Sequence, residues 1–97
     1  MIAPPIICTN VRRNLQGGPV VAGVTLRIPV WRLTMFGAVW LDDGGGECIV
    51  LPRREWVEPA GARRVADIFM FDDYAAQGHF ERTALAAARR LIEATRR

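Results

Sequence analysis

Residues 20–28 set the pattern of the chain: Val20, Ala22, Val24, Leu26 and Ile28 alternate with Val21, Gly23, Thr25 and Arg27. A period of two is that of a strand with one buried face. Ahead of it, Ile6-Ile7-Cys8-Thr9-Asn10-Val11 predicts a short first strand over about residues 6–11. Gln16-Gly17-Gly18-Pro19 predicts the turn between them, with glycine free to take positive φ and proline unable to join a ladder. After a break at Pro29, a second long strand is expected over about 31–41. Leu33, Met35, Val39 and Leu41 oppose Phe36, Ala38 and Trp40 there, so both faces are apolar and both want cover. Further strands of the same sheet are expected over about 47–51 and 64–71, the latter apolar on both faces apart from Asp67.

The period then changes. Phe80, Ala84, Ala87, Ala88, Leu91 and Ile92 fall on one helical stripe, with Arg82, Ala86, Arg89, Glu93, Arg96 and Arg97 facing away. Five alanines between 84 and 94 favour a helix over about 78–95. Its start is open at the sequence level: Asp72 or Asp73 caps a helix running through Gly78, or the helix begins at Gly78 itself. The expected fold is therefore α+β. It is an antiparallel β-meander of four to five strands followed by one C-terminal α-helix packed on the sheet, with residues 1–97 forming a single domain. One helix covers one sheet face, and a second copy of the chain is the simplest cover for the other, giving a homodimer. A strongly curled sheet is the alternative.

Composition agrees with a packed chain: apolar residues make up 51%. Pro29, Arg32, Gly37 and Asp42 interrupt the longest apolar runs well short of a membrane span, and Met1–Ile7 lacks a basic leader. A soluble, cytoplasmic protein without a membrane partner is expected. Cys8 and Cys48 match no zinc or redox spacing, and in such a compartment they read as small buried side chains, a Cys8–Cys48 bridge being the less favoured alternative.

Charge changes the picture more. The 13 basic residues are all arginine, and residues 1–41 hold Arg12, Arg13, Arg27 and Arg32 without one acid. Such a half suits a polyanion, although a net charge of +3 is also met by a solvated arginine surface.

Asp42-Asp43-Gly44-Gly45-Gly46-Glu47 invites a metal or phosphate reading. The alternating oxygen ligands of a calcium loop are absent, and a strand follows where a phosphate loop needs a helix. Asp-Gly between two alternating apolar runs is instead a hairpin signal. His79 has no histidine partner, nothing orients a cysteine–histidine pair, and Asp72-Asp73 fit helix capping. No enzyme, metal, cofactor or small-molecule substrate is expected.

Pro52-Arg53-Arg54-Glu55-Trp56 is the more promising stretch. Proline ends a strand, and two arginines then leave the sheet beside an indole, a combination suited to phosphates and base stacking. The structural alternative has Trp56 packing on the core and Glu55 pairing with one arginine. Arg63-Arg64 follow after Glu58-Pro59-Ala60-Gly61, a loop expected to return the chain to the same sheet end. Arg12-Arg13 form a third pair. On the helix, an i,i+4 pair of Arg89 with Glu93 would partly neutralise the exposed face. Arg12, Arg13, Arg53, Arg54, Trp56, Arg63 and Arg64 are the candidate contacts to DNA or RNA.

Taken together, several of these stretches resemble the stage V sporulation protein G (SpoVG-like) family of small bacterial regulators. The resemblance rests on Val11-Arg12-Arg13 before a turn, the long strand Val20–Ile28, and a second long strand ending in a glycine-containing turn. It continues through Cys48-Ile49-Val50-Leu51-Pro52-Arg53-Arg54 and the helix after Phe69-Met70-Phe71. It spans about residues 7–95. Val65-Ala66-Asp67-Ile68-Phe69 stands where close members carry a His-Pro motif. The resemblance implies a dimeric bacterial protein that binds DNA or RNA. The alternative is a homodimeric interaction or assembly module, in which Phe36, Trp40 and Trp56 dock a protein and the arginines only solubilise.

Overall fold

A computed structural model describes residues 4–68 and 71–95. Four antiparallel strands form a meander in the order β1-β2-β3-β4: β1 (Ile7–Arg13), β2 (Val20–Ile28), β3 (Leu33–Leu41) and β4 (Glu47–Val50). A separate two-stranded sheet pairs β5 (Arg53–Val57) with β6 (Arg63–Asp67), and α1 (Tyr74–Thr95) ends the described chain. The architecture is α+β, as the periodicities require.

The alternation in β2 sorts its side chains as expected. Ala22, Val24, Leu26 and Ile28 are buried with Met35, Val39 and Ile49 of the neighbouring strands, against Phe80, Ala84, Ala88 and Ile92 of α1. The helix packs on β1, β2 and β4. Its start is settled by Asp73, whose Oδ1 accepts from the Ala76 N–H at 2.7 Å while its carbonyl accepts from Gln77 at 3.2 Å. The cap outweighs the cost of Gly78 within the helix, so α1 begins at Tyr74 rather than near residue 78.

Other boundaries move too: β1 runs on to Arg13 where it was expected to end near residue 11, which takes Arg12 and Arg13 into the strand. Pro29-Val30-Trp31 form a 3-10 turn closed by the Arg32 N–H on the Pro29 carbonyl, with Arg32 left-handed at φ 49°, so β3 starts at Leu33 instead of 31. Trp31 thereby leaves the ladder and stacks on Phe80, rings parallel within 2° and centroids 5.8 Å apart. Residues 53–57 are the larger correction. They were expected to leave as a loop, and 64–71 to join the main sheet, yet the two segments pair with each other. Glu58-Pro59-Ala60-Gly61 is the hairpin turn between them: Gly61 has φ +90°, its N–H donates to the Glu58 carbonyl at 2.8 Å, and Glu58 N–H donates to Ala62. Phe69 and Met70, the end of that expected strand, lie outside the described residues.

The acidic glycine run is a turn, as expected. Asp42 Oδ1 accepts from the N–H groups of Gly44 and Gly46, each at 2.9 Å, and Gly45 takes φ +81°. Asp42→Ala is expected to cost about 1 kcal/mol through these two bonds. In a chain of this size that lowers the thermal midpoint by about 4–8 °C; an unchanged midpoint in calorimetry would contradict the assignment. Glu47, at the start of β4, accepts from Arg89 Nε at 2.9 Å and ties helix to sheet. The partner found for Arg89 is thus a residue of the sheet, where helical spacing alone had pointed to Glu93.

Candidate nucleic-acid interface

Residues 53–57 and 63–66 of the β5–β6 ribbon are exposed, and its register divides the arginines between two faces. Arg54↔Ala66 and Trp56↔Arg64 set Arg54, Trp56 and Arg64 on one side. Arg53, Glu55, Val57, Val65 and Arg63 occupy the other by alternation. On the first face the Arg54 guanidinium lies over the Trp56 indole, 5.2 Å from the ring centroid, and Trp56 is 39% exposed. Trp56 therefore does not pack into the core. Arg64 Nε donates to Glu58 Oε1 at 2.8 Å. On the second face Glu55 sits between Arg53 and Arg63 at 3.9 and 3.7 Å, so it is shared by two arginines rather than paired with one. These are surface pairs of about 0–1 kcal/mol, which phosphate oxygens can replace. Arg54 has no carboxylate within 4.0 Å among the described residues.

Five candidates, Arg53, Arg54, Trp56, Arg63 and Arg64, are thus collected on one hairpin. Arg12 and Arg13 are not on it. Both are exposed on β1, opposite Gly23 and Ala22 respectively, and they point to different sheet faces. Arg12 shares the open face, away from the helix; Arg13 shares the parity of buried Ala22.

The open face also holds two residues that the sequence suggested as a protein-docking surface and not as contacts to nucleic acid. Phe36 is 70% exposed in the middle of β3, and Arg53 lies over Trp40, 5.4 Å from the ring centroid. Their signal was the double apolarity of residues 33–41, which led to a dimer face instead. Only the strand register places Arg12 and Arg53 on either side of that stripe.

The remaining candidate chemistry stays apart. Cys8 and Cys48 are free and half-buried, on opposite edges of the sheet, and no group of three metal-ligating side chains gathers among the described residues. Burial pushes the Cys8 thiol up, against a smaller opposing effect of the Asn10 and Thr25 backbone. In a Cys48→Ser variant, Cys8 is expected to react with a disulfide reagent at pH 8 more slowly in the folded than in the urea-unfolded chain. Equal rates would contradict that environment. Among the described residues, no helix is long and apolar enough to cross a membrane.

Neither a family model, nor a curated protein, nor a solved structure matches the chain.

Proposed function

We propose that this chain is a small, non-enzymatic, cytoplasmic nucleic-acid-binding protein that acts as a homodimer and grips phosphates through the β5–β6 ribbon. The observation that carries the reading is the gathering of Arg53, Arg54, Arg63, Arg64 and Trp56 on one exposed two-stranded ribbon. Guanidinium groups match phosphate geometry, and a half-exposed indole offers a stacking plane. The resemblance of the chain to SpoVG-like regulators supports the same reading. Titration of labelled single- and double-stranded DNA and RNA at low salt tests it. Binding of at least one is expected, and no shift with any of them would end the proposal.

A second reading, a homodimeric assembly module without nucleic-acid binding, is favoured by two valines on the ribbon face that also carries Arg53, Glu55 and Arg63. Val57 and Val65 are exposed there, and a lone two-stranded hairpin is marginally stable in water without a packing partner. A second copy could supply that partner while the Arg54–Trp56–Arg64 side stays free. The mass of the protein in solution tests the dimer: a monomer across the micromolar range would remove it from both readings.

A further inference from the structure

We infer that the open face of the four-stranded sheet is a base-stacking platform centred on Phe36, so that the ligand is single-stranded nucleic acid in preference to duplex. The inference rests on the nucleic-acid reading above and adds a site and a substrate class to it.

Phe36 is the ring most out of place in the fold. A phenylalanine in the middle of an inner strand is normally covered, yet this one is 70% exposed. The register sets it in a row with Thr25 and Asn10, and the next row is Arg12, Gly23, Ala38 and Val50. Side chains at Gly23 and Ala38 are minimal, so the sheet surface drops away beside the ring. A concavity of about 260 Å³ lies on one side, lined by Asn10, Arg12, Gly23, Thr25 and Phe36. A second, of about 270 Å³, lies on the other, between Phe36, Ala38, Trp40, Pro52 and Arg53. One exposed ring thus divides two shallow grooves, each with an arginine at its wall.

That arrangement fits unpaired nucleotides. A splayed base can lie on the phenyl face, Arg12 and Arg53 reach the phosphates on either side, and Asn10 and Thr25 offer hydrogen bonds to a base edge. Arg53 already stacks on Trp40. In a duplex the base faces are occupied by their neighbours, so a ring fixed in the centre of a sheet has nothing to stack on. Charge argues against a second copy as occupant. A two-fold contact through this face would bring the same patch against itself, opposing Arg12, Arg27 and Arg53 of one copy to those of the other.

The test uses full-length protein, an oligothymidine of about 12 nucleotides and a duplex of the same length, within the span of known single-strand sites. The single strand is expected to bind more tightly than the duplex. Phe36→Ala should weaken it about 5- to 150-fold without changing the salt slope, and Phe36→Trp should retain it. Phe36 is exposed, so both variants are expected to keep the wild-type circular dichroism. Duplex binding as tight as the single strand, or a Phe36→Ala variant that binds like wild type, would overturn the platform and leave the ribbon reading standing. A change in solution mass on Phe36→Ala would show the face to be a contact between copies and overturn it as well. Absence of binding by wild type to the oligothymidine and the duplex, and to single- and double-stranded RNA of the same length, would overturn both.

Discussion

Phe80→Ala is expected to remove about 3–5 kcal/mol of folding stability, out of the roughly 5–15 kcal/mol typical of a domain. Phe80 is among the largest fully buried side chains, and it joins three parts of the fold. It projects from α1 into the sheet core, stacks on Trp31 of the 3-10 turn at 5.8 Å, and meets Phe71 at 5.2 Å with a 44° tilt. Truncation leaves a cavity and strands two partner rings, each aromatic pair adding about 0.5–1.5 kcal/mol beyond area burial. Urea unfolding is the measurement. The midpoint should fall sharply with the slope unchanged, because the same surface is still exposed on unfolding. A loss below about 1 kcal/mol would mean that Phe80 is not at the centre of the core.

The second large effect is on binding. If Arg12, Arg53, Arg54, Arg63 and Arg64 each neutralise one phosphate of a single strand, log affinity should fall against log salt with a slope near −3.5, about −0.7 for each contact. From about 50 to about 200 mM salt, affinity then drops about 100-fold. The ion pairs of Glu55 and Glu58 do not prevent this, because exposed pairs at 2.8 to 3.9 Å exchange readily for phosphate. Arg53 and Arg54 replaced together by alanine should weaken binding and make the slope shallower by about 1.4. Neither side chain belongs to the buried core, so the double variant is expected to fold.

Sequence periodicity was a good guide wherever one side of an element was buried. Val24, Leu26 and Ile28 alternate with Gly23, Thr25 and Arg27, and Phe80, Ala84, Ala88 and Ile92 recur on a helical stripe; all the apolar members of both sets lie in the core. The turns at Gly17-Gly18 and Gly45 were equally legible, because positive φ leaves a mark in composition. The ribbon was not. Arg53 to Val57 is exposed on both faces, so no buried side imposes alternation, and three consecutive charges read as loop. Without β5, the partner of β6 was misassigned to the main sheet, although the Pro-Gly turn joining the two was in plain view. The arginines were therefore found in the right stretch but on the wrong element. Phe36 was read as a docking residue and not as a candidate base-stacking ring for a related reason: a strand apolar on both sides states that something must cover it, and only the register sets Arg12 and Arg53 on either side of it.

The central claim, that the arginine-bearing ribbon grips phosphates, is tested most directly by one measurement. Fluorescence anisotropy of a labelled single strand of about 12 nucleotides is recorded at about 50 and about 200 mM salt, for wild type and for the Arg53→Ala, Arg54→Ala double variant. The account predicts binding that weakens about 100-fold across that range in wild type, and more shallowly in the variant. Absence of binding at the lower salt to this strand and to duplex DNA and RNA alike, or a double variant with wild-type affinity and slope, would contradict it.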